Sequence, residues 1–282
     1  MFQSLKISLL LFFVNCFDDG LSEQCRPLNQ QRQGFRLVLR YPPGWCVSMP
    51  RDECDGPADW IIQGFWPTPI IAHDDHSTTR FNHHRNRLQF CCHKQQFNEK
   101  KLASIIEQLK IYWPSESYTN HHEYWQQQWN RYGACSHDPT AINRPLSRIH
   151  NYDQIDVAEY FALALDLFRR IHIRKWLDDN HLTPSNNHTI QTNRIRETLN
   201  SHLNQMDQSS MVYQLRCAHG GNNDIVIPKT RRRNILNEIR FCFDDRLEMI
   251  DCAKFADTDQ HTGRTGICDD DHVYYVDKSG WP

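Results

Sequence analysis

Long apolar runs are almost absent from this sequence of 282 residues. The one that exists, residues 7–14, follows Lys6 and is too short to span a membrane, but it has the length and flank of a secretory signal peptide. Val14 and Cys16 supply a small-residue cleavage pattern. We therefore expect a signal peptide over residues 1–16 and, since no stretch has the composition of a linker, one domain over residues 17–282. The mature chain is expected to have no membrane segment and to enter the extracellular space or an endolysosomal lumen.

Strong net charge and metal-binding spacings are also lacking. The formal net charge is −2, so the overall charge does not require a nucleic-acid partner. No C-x-x-C pair occurs, which argues against a zinc ribbon or a thioredoxin-like site. Histidines cluster over residues 73–93 without the tight helical spacing of a metal site, and a solvated loop is the simpler interpretation. We predict no metal and no cofactor.

Cysteine, in contrast, is plentiful. Eleven cysteines are present, and ten remain once Cys16 leaves with the signal peptide. An even number of cysteines in a secreted chain predicts a disulfide framework, although spacing alone does not give the pairing. A glycosylation sequon begins at Asn187.

Hydrophobic periodicity predicts strands and helices without regular β–α–β alternation, which is typical of an α+β fold. The predicted strands cover residues 35–39, 60–65, 212–217, 235–243 and 273–276. The predicted helices cover residues 99–112, 155–176 and 189–203, together with a short one inside residues 124–135.

The stretch over residues 124–135 reads Y-W-Q-Q-Q-W-N-R-Y-G-A-C. On a helix Trp125 and Trp129 lie on one stripe, and Gln127 lies one turn before Arg131. Gly133 favours a helix end. A short helix with two aromatic anchors and one polar cluster would hold that cluster rigidly. The alternative is an ordinary amphipathic helix with solvated glutamines.

Three separated stretches together resemble the ribonuclease T2 family of secreted acid endoribonucleases. Residues 35–46 (F-R-L-V-L-R-Y-P-P-G-W-C) are similar to the family's first strand. Residues 60–67 (W-I-I-Q-G-F-W-P) resemble its motif F-T-I-H-G-L-W-P, and residues 124–135 resemble F-W-x-H-E-W-x-K-H-G-T-C. The resemblance implies a central antiparallel sheet flanked by helices and stabilised by disulfides.

The same resemblance implies a disulfide pairing. The implied bridges are Cys46–Cys54, Cys217–Cys268, Cys242–Cys252, Cys135 with Cys91 or Cys92, and Cys25 with the remaining member of that pair.

The chain departs from the family at each catalytic position. Where the family has its general acid, its phosphate-binding histidine, its glutamate, its lysine and its general base, this sequence has Gln63, Gln127, Gln128, Arg131 and Tyr132. Family members cleave RNA by attack of the 2′-hydroxyl on its own phosphate, and two imidazoles transfer the protons. Glutamine exchanges no proton, and tyrosine, with a reference pKa near ~10, is a poor base at acid or neutral pH.

We therefore predict a ribonuclease T2-like protein without catalytic activity that still binds RNA, a nucleotide or a phosphate. Arg131 keeps the cation and can grip a phosphate with two hydrogen bonds. The other predicted binding residues are Arg40, Trp66, Tyr124 and Trp125, of which the aromatic ones could stack on bases.

Three alternatives stay open at this point. An active ribonuclease could recruit replacements, such as His121, His122 or Glu123. A polyanion-binding protein could use Arg131, Arg40 and the basic run 231–233. A secreted effector could act through a protein partner without any nucleic acid. In each case we expect a monomer.

Overall fold

The computed structural model describes residues 33–46, 56–70, 96–115, 120–136, 155–203, 212–218, 234–255, 265–268 and 271–278. Its largest element is an antiparallel sheet of five strands. In chain order these are β1 (Gln33–Arg40), β2 (Ile61–Pro69), β4 (Tyr213–Ala218), β5 (Ile235–Phe243) and β6 (Thr265–Ile267). Their spatial order is β2-β1-β5-β4-β6, so β1, β5 and β4 lie inside the sheet. A second, two-stranded sheet pairs β3 (Ile190–Gln191) with β7 (His272–Val273).

Six α-helices accompany the strands in the described part of the chain. They are α1 (Pro42–Cys46), α2 (Ile106–Tyr112), α3 (His121–Arg131), α4 (Val157–Arg170), α5 (Ile173–Asp179) and α6 (Thr192–Leu203). Side chains from α3 and α4, including Trp125, Trp129, Tyr160 and Phe161, join Phe35 and Phe65 of the sheet in one hydrophobic cluster. The predicted α+β class is confirmed.

Two predicted helices are each interrupted, which corrects our expectation. The stretch 99–112 divides into a 3-10 turn (Glu99–Leu102) and α2. The stretch 155–176 divides into α4 and α5, because Ile171 is extended with φ −112° and ψ 98°. This elbow lets Ile171 and Ile173 both point into the core, at 4% and 2% exposure, which a continuous helix would not allow for residues two apart.

The predicted strands differ from the structure mainly in length. β2 continues past Phe65 to Pro69, where it pairs with Gln33 at the start of β1. The predicted strand 273–276 shrinks to the two residues of β7. Beyond Val273, Tyr274 forms a single parallel bridge with Ile235 of β5. Tyr275 packs against Tyr41, with ring centroids 4.6 Å apart. All four residues of the predicted strand are buried, so the segment's hydrophobicity reflects burial as well as pairing.

Two of the implied disulfides, Cys217–Cys268 and Cys242–Cys252, are formed. Cys46 is also disulfide-bonded, while its expected partner Cys54 lies outside the described residues. The bridges expected to link Cys135 and Cys25 with the Cys91–Cys92 pair involve residues outside the described part as well, so they stay predictions. The signal segment, the histidine cluster and the basic run 231–233 fall outside it too. No helix among the described residues is long and apolar enough to cross a membrane.

Candidate active-site cleft between β2 and α3

Gln63 sits at an irregularity in the pairing of β1 with β2. Val38 faces Gly64 and Leu39 faces Ile62, so Gln63 is the extra residue between them. Such bulges redirect a side chain and are common beside active sites. Gln63 is 9% exposed. Its main-chain carbonyl accepts a hydrogen bond of 2.8 Å from the Tyr124 hydroxyl of α3. The bulge therefore fastens β2 to the helix that carries the second motif.

The aromatic stripe predicted for α3 forms its core face. Trp125 and Trp129 are 0% and 1% exposed, and the Trp125 indole N–H donates to the Trp113 carbonyl at 2.8 Å. Asn120 caps the N-terminus by accepting the Glu123 N–H. After the helix, a Cβ on Gly133 would lie 2.3 Å from the Trp129 ring, so close packing requires a glycine there. These contacts fix the axial position of the polar cluster.

The polar side chains of α3, Gln127, Gln128 and Arg131, differ in their exposure to solvent. Gln127 is exposed and Arg131 is half-buried, whereas Gln128 is 8% exposed. No hydrogen-bond donor from the described residues reaches the buried Oε1 of Gln128. The Arg131 cation and the Gln127 amide therefore border solvent, while the Gln128 amide is buried in the protein.

Tyr132, which the resemblance aligns with the family's general base, stacks on Trp66 of β2. The two ring centroids are 5.5 Å apart with an interplanar angle of 27°. The Arg131 guanidinium lies over the Tyr132 ring at 5.3 Å, and that of Arg240 lies over the Trp66 ring at 5.4 Å. A Cβ on Gly64 would meet the Trp66 indole nitrogen at 2.1 Å, so this glycine lets the indole lie against the strand.

Arg240, which contacts the Trp66 ring, belongs to an ion-pair network with Glu238 and Arg40 on the sheet. Arg240 donates to Oε2 of Glu238 at 2.9 Å through Nη2, and Arg40 donates to Oε1 at 3.3 Å. Burial alone would raise the pKa of Glu238, but the two guanidinium groups outweigh it and hold this pKa below its usual range. Arg40 also lies 4.0 Å from the centre of the Trp45 ring. Arg40 is thus engaged by Glu238 and Trp45.

The electrostatics of Tyr132 oppose a role as a base. Burial raises the pKa of its hydroxyl above the usual value, and the nearby cations of Arg131 and Arg240 offset only part of that rise. A phenol with such a pKa stays protonated throughout the acid and neutral range. Gln63 has no proton to exchange at all. Neither side chain therefore has a group that exchanges protons in the acid and neutral range.

The candidate replacements His121, His122 and Glu123 lie in the first turn of α3, whereas Arg131 is its last residue. His121 is about 9 Å along the helix axis from Gln127 and about 15 Å from Arg131. Its Nδ1 accepts the Ser115 N–H, its ring stacks on Trp125, and burial together with Lys110 lowers its pKa. His122 pairs with Glu99 at 3.0 Å, and Glu123 is exposed in the first turn. All three lie at least about two helical turns before Arg131, so none of them is beside that cation.

The structure thus brings the two sequence motifs together at two points, through the Tyr124–Gln63 hydrogen bond and the Tyr132–Trp66 stack. Sequence reasoning missed Glu238 and Arg240. The signal was present, because these two charged residues alternate with apolar ones in β5, a strand whose nine residues are all buried. Charged residues two apart on a buried strand must share a face and be paired.

This α+β architecture, in which a bulged strand contacts an aromatic-anchored helix, is that of a ribonuclease fold. The family model described as "Ribonuclease T2 family" matches residues 33–252, and the chain belongs to that family. Human ribonuclease T2 is 22% identical over 162 residues, covering 57% of this chain and 52% of the human protein. Ribonuclease S-3 of Petunia hybrida is 24% identical over 247 residues, covering 86% of this chain and 90% of that protein. The chain's matches to the human and mouse relatives span about half of their length.

Solved structures agree on the fold. The crystal structure of human RNase T2 has a TM-score of 0.58 at 18% identity and covers 87% of this chain and 98% of that one. RNase NT in complex with 5′-AMP has a TM-score of 0.56 at 16% identity and covers 88% of this chain and all of that one. At such identities these likenesses establish the fold and leave the chemistry to the residues of the cleft.

Proposed function

We propose that this protein is a ribonuclease T2-like protein that does not cleave RNA and that binds a phosphate of RNA or of a nucleotide in the cleft between β2 and α3. One observation carries the proposal. The two acid–base positions are Gln63 and a buried Tyr132 with a raised pKa, whereas the cationic position, Arg131, borders solvent beside the exposed Gln127.

Binding and cleavage make different demands on these residues. A phosphate needs a cation and hydrogen-bond donors, which Arg131 and the Gln127 amide supply without titrating. Cleavage needs two groups that exchange protons near the working pH, each contributing about 10²–10⁴-fold. We therefore expect these residues to bind an anion without catalysing RNA cleavage.

Burial reduces the number of predicted binding residues that a ligand could reach. Trp125 is fully buried in the core, and Arg40 is 5% exposed. Trp66 is half-buried between contacts to Tyr132 and Arg240, and Tyr124 is half-buried with its hydroxyl on the Gln63 carbonyl. A phosphate held by Arg131 and the neighbouring Gln127 needs the least rearrangement, since Tyr124 lies about 10 Å before Arg131 along the helix axis. Base stacking on Trp66 requires Tyr132 to move.

Secretion is part of the proposal, and two disulfides of the described chain suit an oxidising compartment. We propose N-glycosylation at Asn187, whose side chain is exposed. The neighbouring Asn186 holds this turn in place through two hydrogen bonds with the backbone of Asp277, at 2.9 and 3.1 Å.

The experiment measures cleavage and binding separately on the secreted protein. Cleavage of a fluorogenic RNA is followed from pH 4 to 8, and binding is followed by fluorescence anisotropy with a labelled 2′-O-methyl RNA, which cannot be cleaved through its 2′-oxygen. We expect no turnover, and binding that falls with salt. Arg131→Ala should weaken binding roughly tenfold to a hundredfold, as expected for a lost charged hydrogen bond.

The matched control is Arg194→Ala. Arg194 is exposed on α6 and donates to the Asn180 carbonyl, away from the cleft. Robust turnover that Gln63→Ala abolishes would overturn the loss of catalysis. Equal effects of the two arginine substitutions would overturn the phosphate site, and a protein partner that binds independently of salt would then become the better explanation.

A further inference from the structure

A cavity of about 740 Å³ opens on the helical side of the sheet, and none of the cleft residues described above line it. Its walls come from the start of β2, the end of α2 and the elbow between α4 and α5. The apolar part of the lining consists mainly of Trp60, Ile61, Ile111, Tyr112, Phe168 and Ile171. Cavities of this size with mostly apolar walls and a few polar groups are the usual form of small-molecule sites.

The mouth of the cavity coincides with exposed apolar side chains. Ile111 is 61% exposed and Tyr112 is 36% exposed, and the Tyr112 ring lies 5.5 Å from that of Phe168. Among the described residues the remaining large exposed hydrophobic is Ile267, which lies on the edge strand β6. An isolated exposed isoleucine is ordinary, but two adjacent apolar residues at the mouth of an apolar cavity extend one continuous binding surface.

The floor of the cavity is rigid. Trp60 is 5% exposed, and its indole N–H donates to the Tyr275 hydroxyl at 3.1 Å. Ile171 and Ile173 are buried by the elbow described above. Because these side chains are fixed by the core, a ligand would enter a preformed space, which reduces the ordering cost of binding.

The charges around the cavity differ from wall to wall. On α5, Arg174 pairs with Asp178 and Lys175 pairs with Asp179, each at 2.7 Å, so both cations are neutralised. At the end of α4, Arg169 donates to the neutral amide of Gln108, which leaves its positive charge uncompensated by that partner. Asp59 lies in the loop before β2, where its carboxylate accepts the Trp60 N–H. An anionic group would therefore be placed best at the α4 end, beside Arg169.

We propose that this cavity binds a small amphipathic molecule with an aromatic or branched aliphatic body and one anionic group. The body would lie against Ile111, Tyr112 and Phe168, and the anionic group beside Arg169. This site goes beyond the proposed phosphate cleft and does not depend on it, because the two share no residue.

Two dyes of nearly equal shape test the proposal. 8-Anilinonaphthalene-1-sulfonate carries an anionic group, and N-phenyl-1-naphthylamine lacks it. We expect saturable binding of both with a stoichiometry near one, read from the rise in dye fluorescence. Ile111→Glu should weaken both dyes roughly tenfold or more, because it places a carboxylate at the apolar mouth. Arg169→Glu should weaken the sulfonate roughly tenfold and leave the neutral dye within about twofold.

The chain offers a matched control for each variant. Ile267→Glu alters an isoleucine of similar exposure on β6, and Arg194→Glu alters an exposed arginine on α6. All four substitutions are at exposed positions, and circular dichroism checks that each variant is folded. Absence of saturable binding, or equal loss in Ile111→Glu and Ile267→Glu, overturns the site. If Arg169→Glu weakens the binding of both dyes equally, the proposed place of the anionic group beside Arg169 is wrong. Unchanged binding of the sulfonate in that variant would contradict it as well.

Discussion

The two faces of α3 differ in what they do and in how closely they follow the family motif. One face carries Trp125 and Trp129, which are buried and packed on Trp113 and Tyr160. The other borders the cleft and carries Gln127 and Arg131. The resemblance of residues 124–135 to the family motif implies that the core face keeps the tryptophans of that motif, whereas Gln127 and Arg131 stand in place of its histidine and lysine. The residues that build a cleft are thus separable from those that react in it.

β2 shows the same division within a few residues. Ile62 and Phe65 are fully buried, and Gly64 keeps the space in which the Trp66 indole lies. Gln63 is the bulged residue of this segment, and by the resemblance of residues 60–67 it stands in place of the motif's histidine. If the division is real, restoring the reacting residues should restore the reaction, and disturbing the core residues should cost stability instead.

The largest effect is expected from restoring the family's residues together, as Gln63→His, Gln127→His, Gln128→Glu, Arg131→Lys and Tyr132→His. Because the core contacts that position β2 and α3 are in place, we expect RNA cleavage to rise by at least about 10²–10⁴-fold over the natural sequence, with an optimum at acid pH. The release of 2′,3′-cyclic phosphate ends from RNA measures it.

The matched control carries the same substitutions without Gln63→His. Its RNA cleavage should be much slower than that of the variant with all five substitutions, because the leaving oxygen then has no proton donor. A folded variant with all substitutions and no cleavage would show that the cleft geometry itself, as well as its residues, has departed from the family.

On the core face, Trp129→Ala should lower the free energy of unfolding by about 3–5 kcal/mol, because it removes a buried ring packed on Gly133 and Tyr160. Urea unfolding followed by circular dichroism measures this. Gln126→Ala, on the exposed side of the same helix, should change stability by less than about 0.5 kcal/mol. Similar losses in the two variants would contradict the assignment of the two faces.

Behind Trp66, Glu238→Gln should lower stability at pH 7 by about 3 kcal/mol, because it removes the buried carboxylate shared by Arg40 and Arg240. The folded-state pKa of Glu238 lies below its unfolded value of about 4.3, so its stabilisation is present above that pH. It is lost as the pH falls through the folded-state pKa.

Urea unfolding from pH 3 to pH 7 tests this sign. The stability difference between the natural protein and Glu238→Gln should shrink as the pH falls below about 4.3. Glu197→Gln, at an exposed glutamate on α6, is the control and should change stability by less than about 0.5 kcal/mol. A difference that grows on acidification would mean that the carboxylate is not held in its ionised form by the two arginines.

The separation of buried core residues from polar cleft residues could largely be predicted from the sequence, and the exceptions have physical causes. The tryptophan stripe of α3 and the paired strands follow from periodicity and motif spacing. The break at Ile171 did not follow from them, because the apolar residues before it repeat at helical spacing and no proline or glycine marks the end of α4. Neither did the Tyr132–Trp66–Arg240 stack, since it joins three elements distant in sequence. Local patterns carry no information on which distant rings meet, so stacking on Trp66 was expected from a base and is made instead by Tyr132.

The smallest effect is expected from Tyr132→Phe. Its ring keeps the stack on Trp66, and the lost hydroxyl, with its raised pKa, is protonated and inert below pH 8. RNA affinity should stay within about twofold and stability within about 1 kcal/mol. Tyr132→Leu, which removes the aromatic stack, should cost more stability than Tyr132→Phe. If the natural protein shows residual cleavage that rises with pH and disappears in Tyr132→Phe, then the tyrosine acts as a base and this face of α3 retains part of the reaction.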